Sequence, residues 1–157
     1  MKSNLQLGLI LILSILFLVL LLSPKSNPNN PLFGIKRLQE KAFLGLKVSQ
    51  EQKVEYLGQL LDNRLVELEN LVKNESFSYL WSASSRYSTT AGQITNSVVD
   101  NNLTQMVNPV KDKFEKHKER LQALYDAYPK NTDNVEYKYI EDAINYLNAY
   151  LDILSKI

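Results

Sequence analysis

Phe77 to Val99, FSYLWSASSRYSTTAGQITNSVV, is the stretch where local propensity and hydrophobic spacing disagree. Serine and threonine offer the backbone hydrogen bonds that compete with a helix, and β-branched residues lose rotamer freedom in one. Yet Phe77, Leu80, Trp81, Ser84, Tyr87, Ala91, Ile94 and Val98 fall at spacings of three and four, with no strand-like alternation. Helices in proteins draw most of their stability from packing an apolar face, so the spacing outweighs the propensity. The segment is predicted to be helical, which makes the chain all-α.

The flanking segments carry clearer signals. Ser49 with Gln52 three residues later makes a capping box and opens a helix from about Gln50 to Lys73. Its apolar set, Val54, Leu57, Leu60, Leu61, Leu65, Leu68, Leu71 and Val72, is wide enough to face more than one neighbour. Earlier, Asn30 with Pro31 at the first helical position starts a short helix carrying Leu32, Ile35, Leu38 and Ala42 on one face, until Gly45. On the other side, Asn108 and Pro109 give a start of the same kind. Val110, Phe114, His117, Leu121, Leu124 and Tyr128 then step by four, three, four, three and four, and Pro129 prevents continuation. Asp133 with Glu136 at the third position caps the last helix, whose stripe is Ile140, Ala143, Ile144, Leu147, Tyr150, Leu151 and Leu154. A short helix followed by four long ones on short polar loops predicts an antiparallel bundle over residues 31–157.

Ahead of the bundle lies Leu5 to Leu22, LQLGLILILSILFLVLLL, an 18-residue run without a charge. At about 1.5 Å per residue it nearly spans a bilayer core of roughly 30 Å. Its exit, Leu20-Leu21-Leu22-Ser23-Pro24, offers no small-residue cleavage site, and without cysteine no lipidated-Cys anchor can form. Residues 1–23 are therefore read as a retained single-span anchor. Residues 24–30, in the polar stretch SPKSNPNN, are read as a linker. The short leader with one lysine resembles an export signal, which places the domain outside the cytoplasm at the cell membrane.

Lys2 precedes the span, which leaves 17 of the 18 basic residues to balance all 17 acidic ones. That neutrality argues against nucleic acid, whose footprint is a basic excess on one face. Lys111, Lys113, Lys116, Lys118 and Arg120 are interleaved with Asp112, Glu115 and Glu119, and read as a solvated helix face.

The sequence Pro31-Leu32-Phe33, Lys36-Arg37, Glu40-Lys41, then Glu51 and Lys53, then Arg64-Leu65-Val66-Glu67-Leu68-Glu69 resembles the family called domain of unknown function 5667. There a "PLYxLKRxxEK" short helix leads into an "RLxELExL" long helix soon after a membrane span. The resemblance covers Pro31 to Lys73 closely and the remainder in helix order. It implies location and fold, and it brings no catalytic residue.

Nor does the sequence offer one. The glycines cannot make a phosphate-binding loop, no nucleophile-elbow or zinc-helix motif is present, and a dinuclear carboxylate site needs more than the one histidine of this chain. No enzyme activity, metal or cofactor is therefore expected. His117, inside an apolar stripe, is read as a core histidine satisfied by a neighbouring Tyr or Glu. The serines around Ser84 and Ser88 are read as allowing close helix approach, and the tyrosines of the last helix as boundary residues with wet hydroxyls. Two functional classes follow. The first is a membrane-tethered module that engages another envelope protein. The alternative is a small-ligand sensory bundle acting with a partner, with a cavity among the second, third and fifth helices. Trp81, Tyr87, His117, Tyr146 and Tyr150 are the candidate ligand or partner surface.

Overall fold

In the computed structural model, which describes residues 13–14, 26, 28, 30–130 and 135–157, every regular element is helical. The elements are α1 (Phe33–Gly45), α2 (Gln50–Lys73), a 3-10 turn (Phe77–Tyr79), α3 (Leu80–Asp100), α4 (Thr104–Ala127) and α5 (Tyr137–Leu154). Apart from residues 13–14, the segment read as an anchor lies outside the described residues, and so do most of the stretch read as a linker and Asp133. Among the described residues no helix is long and apolar enough to cross a membrane.

Residues 1–43 and 44–157 form separate units. In the first, Asn30 Oδ1 accepts the Leu32 N–H at 2.8 Å, and α1 begins at Phe33. The predicted apolar face is not covered: Leu38 is 70% exposed and Ala42 is exposed. Lys36 is buried instead, its Nζ donating to the Ser26 carbonyl at 3.1 Å and lying 5.7 Å from the centre of the Phe33 ring.

The second unit is a four-helix bundle. Ser49 Oγ accepts the Gln52 N–H at 3.2 Å while Gln52 Oε1 takes the Val48 N–H at 3.1 Å, so α2 starts where its capping signal puts it. It ends in a Schellman motif. The Ser76 N–H reaches the Leu71 carbonyl at 2.8 Å, the Glu75 N–H reaches the Val72 carbonyl at 3.1 Å, and Glu75 takes a φ of 53°. The end of α3 repeats this geometry with Asn102 at φ 51°, and Leu103 donates to the Val98 carbonyl at 2.9 Å.

That second motif changes the start of α4. The helix opens at Thr104, right after the buried Leu103, and Pro109 falls inside it instead of leading it. Proline cannot supply an N–H to the Gln105 carbonyl, but Gln105 is exposed, so water can. The other proline behaves as predicted: Tyr128, before Pro129, is extended with ψ 134° and ends the helix. At α5, Glu136 is the cap residue, not the third helical one, and its side chain makes no capping bond. The helix starts at Tyr137, whose ring packs 5.9 Å from Tyr125 and 6.0 Å from Tyr128, with Phe77 a further 4.8 Å from Tyr128. This aromatic cluster closes one end of the bundle.

Around the bundle, α2 packs on α3, α3 on α5, α5 on α4 and α4 on α2. Consecutive helices run antiparallel, as predicted, but α3 and α4 face each other across the diagonal. Partners across α2 and α4 rise together along the chain (Glu51 with Gln105, Asp62 with Lys113, Glu69 with Arg120), so that lateral pair is parallel. The same holds for α3 and α5. The core runs through Leu61, Leu65, Leu80, Tyr87, Ile94, Phe114, Leu121, Ile140 and Leu147. The segment of doubtful propensity, α3, thus packs against α2 and α5 on its two sides and meets α4 across the centre.

Candidate functional site

Two core positions, Tyr87 of α3 and His117 of α4, meet a carboxylate at the edge of the core, Asp62 of α2, whose side chain is 45% exposed. His117, at a core position of α4 and 4% exposed, meets Tyr87 of α3 through Nδ1 at 3.0 Å and Asp62 of α2 through Nε2 at 2.8 Å. An ionised carboxylate can only accept, so Nε2 carries the proton, Nδ1 is the acceptor, and the Tyr87 hydroxyl donates to it. Lys113 completes the group, with Nζ 2.8 and 2.7 Å from the two Asp62 oxygens.

Burial pushes the His117 imidazole below its ordinary range, and the Asp62 hydrogen bond opposes this without reversing it. Partial burial pulls Asp62 upward, but the Lys113 and His117 bonds and charges outweigh it and hold the carboxyl below its ordinary range. Burial, then the Asp62 charge, raises the Tyr87 phenol far above its ordinary range. The order hydroxyl, imidazole, carboxylate matches that of a nucleophilic triad, but the Tyr87 side chain is 0% exposed and no substrate can reach it. Tyr87 and His117 satisfy each other inside the core, while Asp62 and Lys113 meet them from the half-exposed edge of α2 and α4. Next to it, Arg64 of α2 donates to Thr90 of α3, which passes its own proton to the Arg86 carbonyl at 2.8 Å, while Arg86 lies 3.6 Å from Glu67.

The basic run of α4 is only partly a solvated face. Lys113 and Arg120 cross to Asp62 and Glu69 on α2, the latter as a two-pronged pair at 2.9 and 2.7 Å, whereas Lys118 pairs locally with Glu115.

On another side of the molecule, α3 and α5 leave a groove of about 330 Å³. One wall is Trp81, Ser84, Ser85, Ser88 and Thr89 of α3; the other is Tyr139, Asp142, Tyr146 and Tyr150 of α5. Ser84 donates to the Tyr139 carbonyl and draws the two helices together at the floor. At Gly92 a Cβ would stand 2.8 Å from the Tyr150 hydroxyl, so the absence of a side chain there is what seats that ring. Burial and the neighbouring Tyr146 raise the Tyr150 phenol, which stays protonated. Of the five predicted surface residues, the groove unites Trp81, 63% exposed, Tyr146, 51% exposed, and Tyr150. Tyr87 and His117 are not with them, and α2 contributes nothing to the groove. Asp62, Lys113 and Asp142 are the groups that sequence reasoning missed.

The family model described as domain of unknown function (DUF5667) matches residues 25–131. The chain belongs to this family. The DUF5667 match runs past the Pro31 to Lys73 patterns and takes in α1 through α4, and with them the whole Tyr87–His117–Asp62 network. Helix α5, which supplies one wall of the groove, follows the matched DUF5667 residues. No curated protein and no solved structure matches the chain.

Proposed function

We propose that this DUF5667 chain is a single-span, membrane-tethered module that holds its helical bundle on the outer face of the cytoplasmic membrane. It works by engaging another envelope protein, not by catalysis. The observation that carries the reading is the uncharged run Leu5 to Leu22, followed by a polar, proline-punctuated spacer and a bundle with its own core. The sealed state of the Tyr87 hydroxyl supports a binding role over a chemical one. The balanced charge supports a protein partner over nucleic acid.

Alkaline carbonate extraction of native membranes, with sequencing of the mature amino terminus, tests the tether. The chain should stay in the pellet with Leu5 to Leu22 retained. A mature terminus at or after Ser23, with the domain in the supernatant, would remove the anchor from the account.

A further inference from the structure

We propose that the groove between α3 and α5 is a binding site for a neutral saccharide, with Trp81, Tyr146 and Tyr150 as stacking faces and Ser85, Ser88 and Asp142 as hydrogen-bonding partners. This goes beyond the tethered-module reading, because it assigns a small ligand to one groove whichever protein the rest of the bundle meets.

The fold leaves some of the groove's polar groups unused. Ser84 and Thr89 spend their hydroxyl protons on the Tyr139 and Ser85 carbonyls. Ser88 is only 8% exposed, lines the groove, and makes no hydrogen bond among the described residues. Its Oγ is not among the fully buried unpaired atoms, so it opens to the groove, where a ligand hydroxyl can bond to it in place of solvent. The exposed Ser85 hydroxyl on the same wall also makes no hydrogen bond among the described residues. Facing them, Asp142 is the one charged residue among the groove's lining, and it can accept from two ligand hydroxyls at once. The walls therefore offer donors and acceptors in mixture, the complement of a molecule whose own groups are hydroxyls.

Aromatic placement fits the same class. Tyr146 and Tyr150 stack near parallel, with 22° between planes and 6.2 Å between centroids, and both line the groove. A ring face is the negative side of its quadrupole and favours the partially positive C–H groups of a sugar ring. An organic cation would also favour ring faces, but it needs them around one point. Here the lining is elongated. From Trp81 to Thr89, and from Tyr139 to Tyr150, it follows two parallel helices for roughly 12 to 16 Å at 1.5 Å per residue. That is the form of a slot for a short oligosaccharide. The volume, about 330 Å³, is at the small end of ligand sites.

Trp81 is the single tryptophan of the chain and serves as the reporter. The full chain, held in a polyoxyethylene-ether detergent that carries neither sugar nor charge, is titrated with chitotriose, cellotriose and tetramethylammonium while Trp81 emission is followed. At least one saccharide should give a saturable change at millimolar concentration. Asp142→Asn should weaken it about tenfold, as expected for one lost hydrogen bond to a charged group, and Ser88→Ala severalfold. Asp112→Asn on α4 should not change it, and far-UV circular dichroism checks that each variant is folded. No saturable response to either saccharide would overturn the proposal, and so would a response that Asp142→Asn and Ser88→Ala leave intact. Tighter binding of tetramethylammonium than of both saccharides would assign the groove to cations instead. The titration makes no use of the membrane, so its failure and that of carbonate extraction are separate results.

Discussion

His117 is the only histidine in the chain, and that makes its environment measurable without competition. Its proton affinity is lowered in the fold because burial leaves the charged ring poorly solvated, and the Lys113 and Arg120 charges of α4 add to this; Asp62 of α2 opposes the shift, and Tyr87 of α3 donates to the neutral ring. The unfolded chain therefore binds a proton at a pH where the folded chain does not. Stability is then fully present above the ordinary histidine value of about 6.5 and is lost as pH falls toward the lowered folded value. One proton sets the slope at no more than about 1.4 kcal/mol per pH unit. His117→Gln keeps a donor for Asp62 and an acceptor for Tyr87, so at neutral pH it should cost only about 0.5 to 1.5 kcal/mol. Above the carboxylate range it should also abolish the slope. Urea unfolding of both forms between about pH 5 and 8 reads both quantities. A wild-type chain that gains stability on acidification would mean that Asp62 outweighs burial. A slope that survives in His117→Gln would mean that another group is responsible. Either result refutes the reasoning.

Other substitutions read the rest of the core. Leu121→Ala empties a position that is 0% exposed and should cost about 2 to 5 kcal/mol in denaturant unfolding, from the lost burial of the removed methyl groups plus the cavity left behind. Tyr87→Phe keeps the ring but leaves the buried His117 Nδ1 without its donor, so a loss of about 1 to 3 kcal/mol is expected; a neutral result would show that the hydroxyl contributes nothing. Glu75→Gly relieves a non-glycine residue of its left-handed φ of 53° and should raise stability by roughly 0.5 to 1 kcal/mol, visible as a higher melting temperature. The same change at Asn102 should gain less, since asparagine tolerates that conformation.

The helices were legible because burial has a period. Phe77 to Val99 is helical despite its serines, since α3 packs against α2 and α5 and meets α4 across the diagonal, and its hydroxyls bond back to carbonyls four residues earlier, as Thr89, Thr90 and Thr95 do. Trp81 is the exception in its stripe, standing at the groove and not in the core. Helix starts were less legible. Pro109 reads locally as a first helical residue, but the start is set by the left-handed turn at Asn102 and the burial of Leu103, neither of which a proline signals. The partners of His117 were foreseen as a class, with Tyr87 the tyrosine. The acid is Asp62, one residue off the core stripe of α2 and next to Leu61. Only the parallel pairing of α2 with α4 brings it to His117, and that pairing depends on α3 and α4 lying diagonally. The groove was half legible for the same reason. Trp81, Tyr146 and Tyr150 stood out as aromatics, whereas Ser88 and Asp142 acquire meaning only once α3 and α5 are seen side by side.

The most direct test of the tethered, outward-facing module uses the absence of cysteine from the chain. Lys130→Cys places a single thiol at an exposed position just beyond α4. With a membrane-impermeant maleimide, intact cells should label at this site as fully as lysed ones, with the labelled chain recovered in the membrane fraction. Labelling only after lysis would contradict the account and place the bundle on the cytoplasmic side.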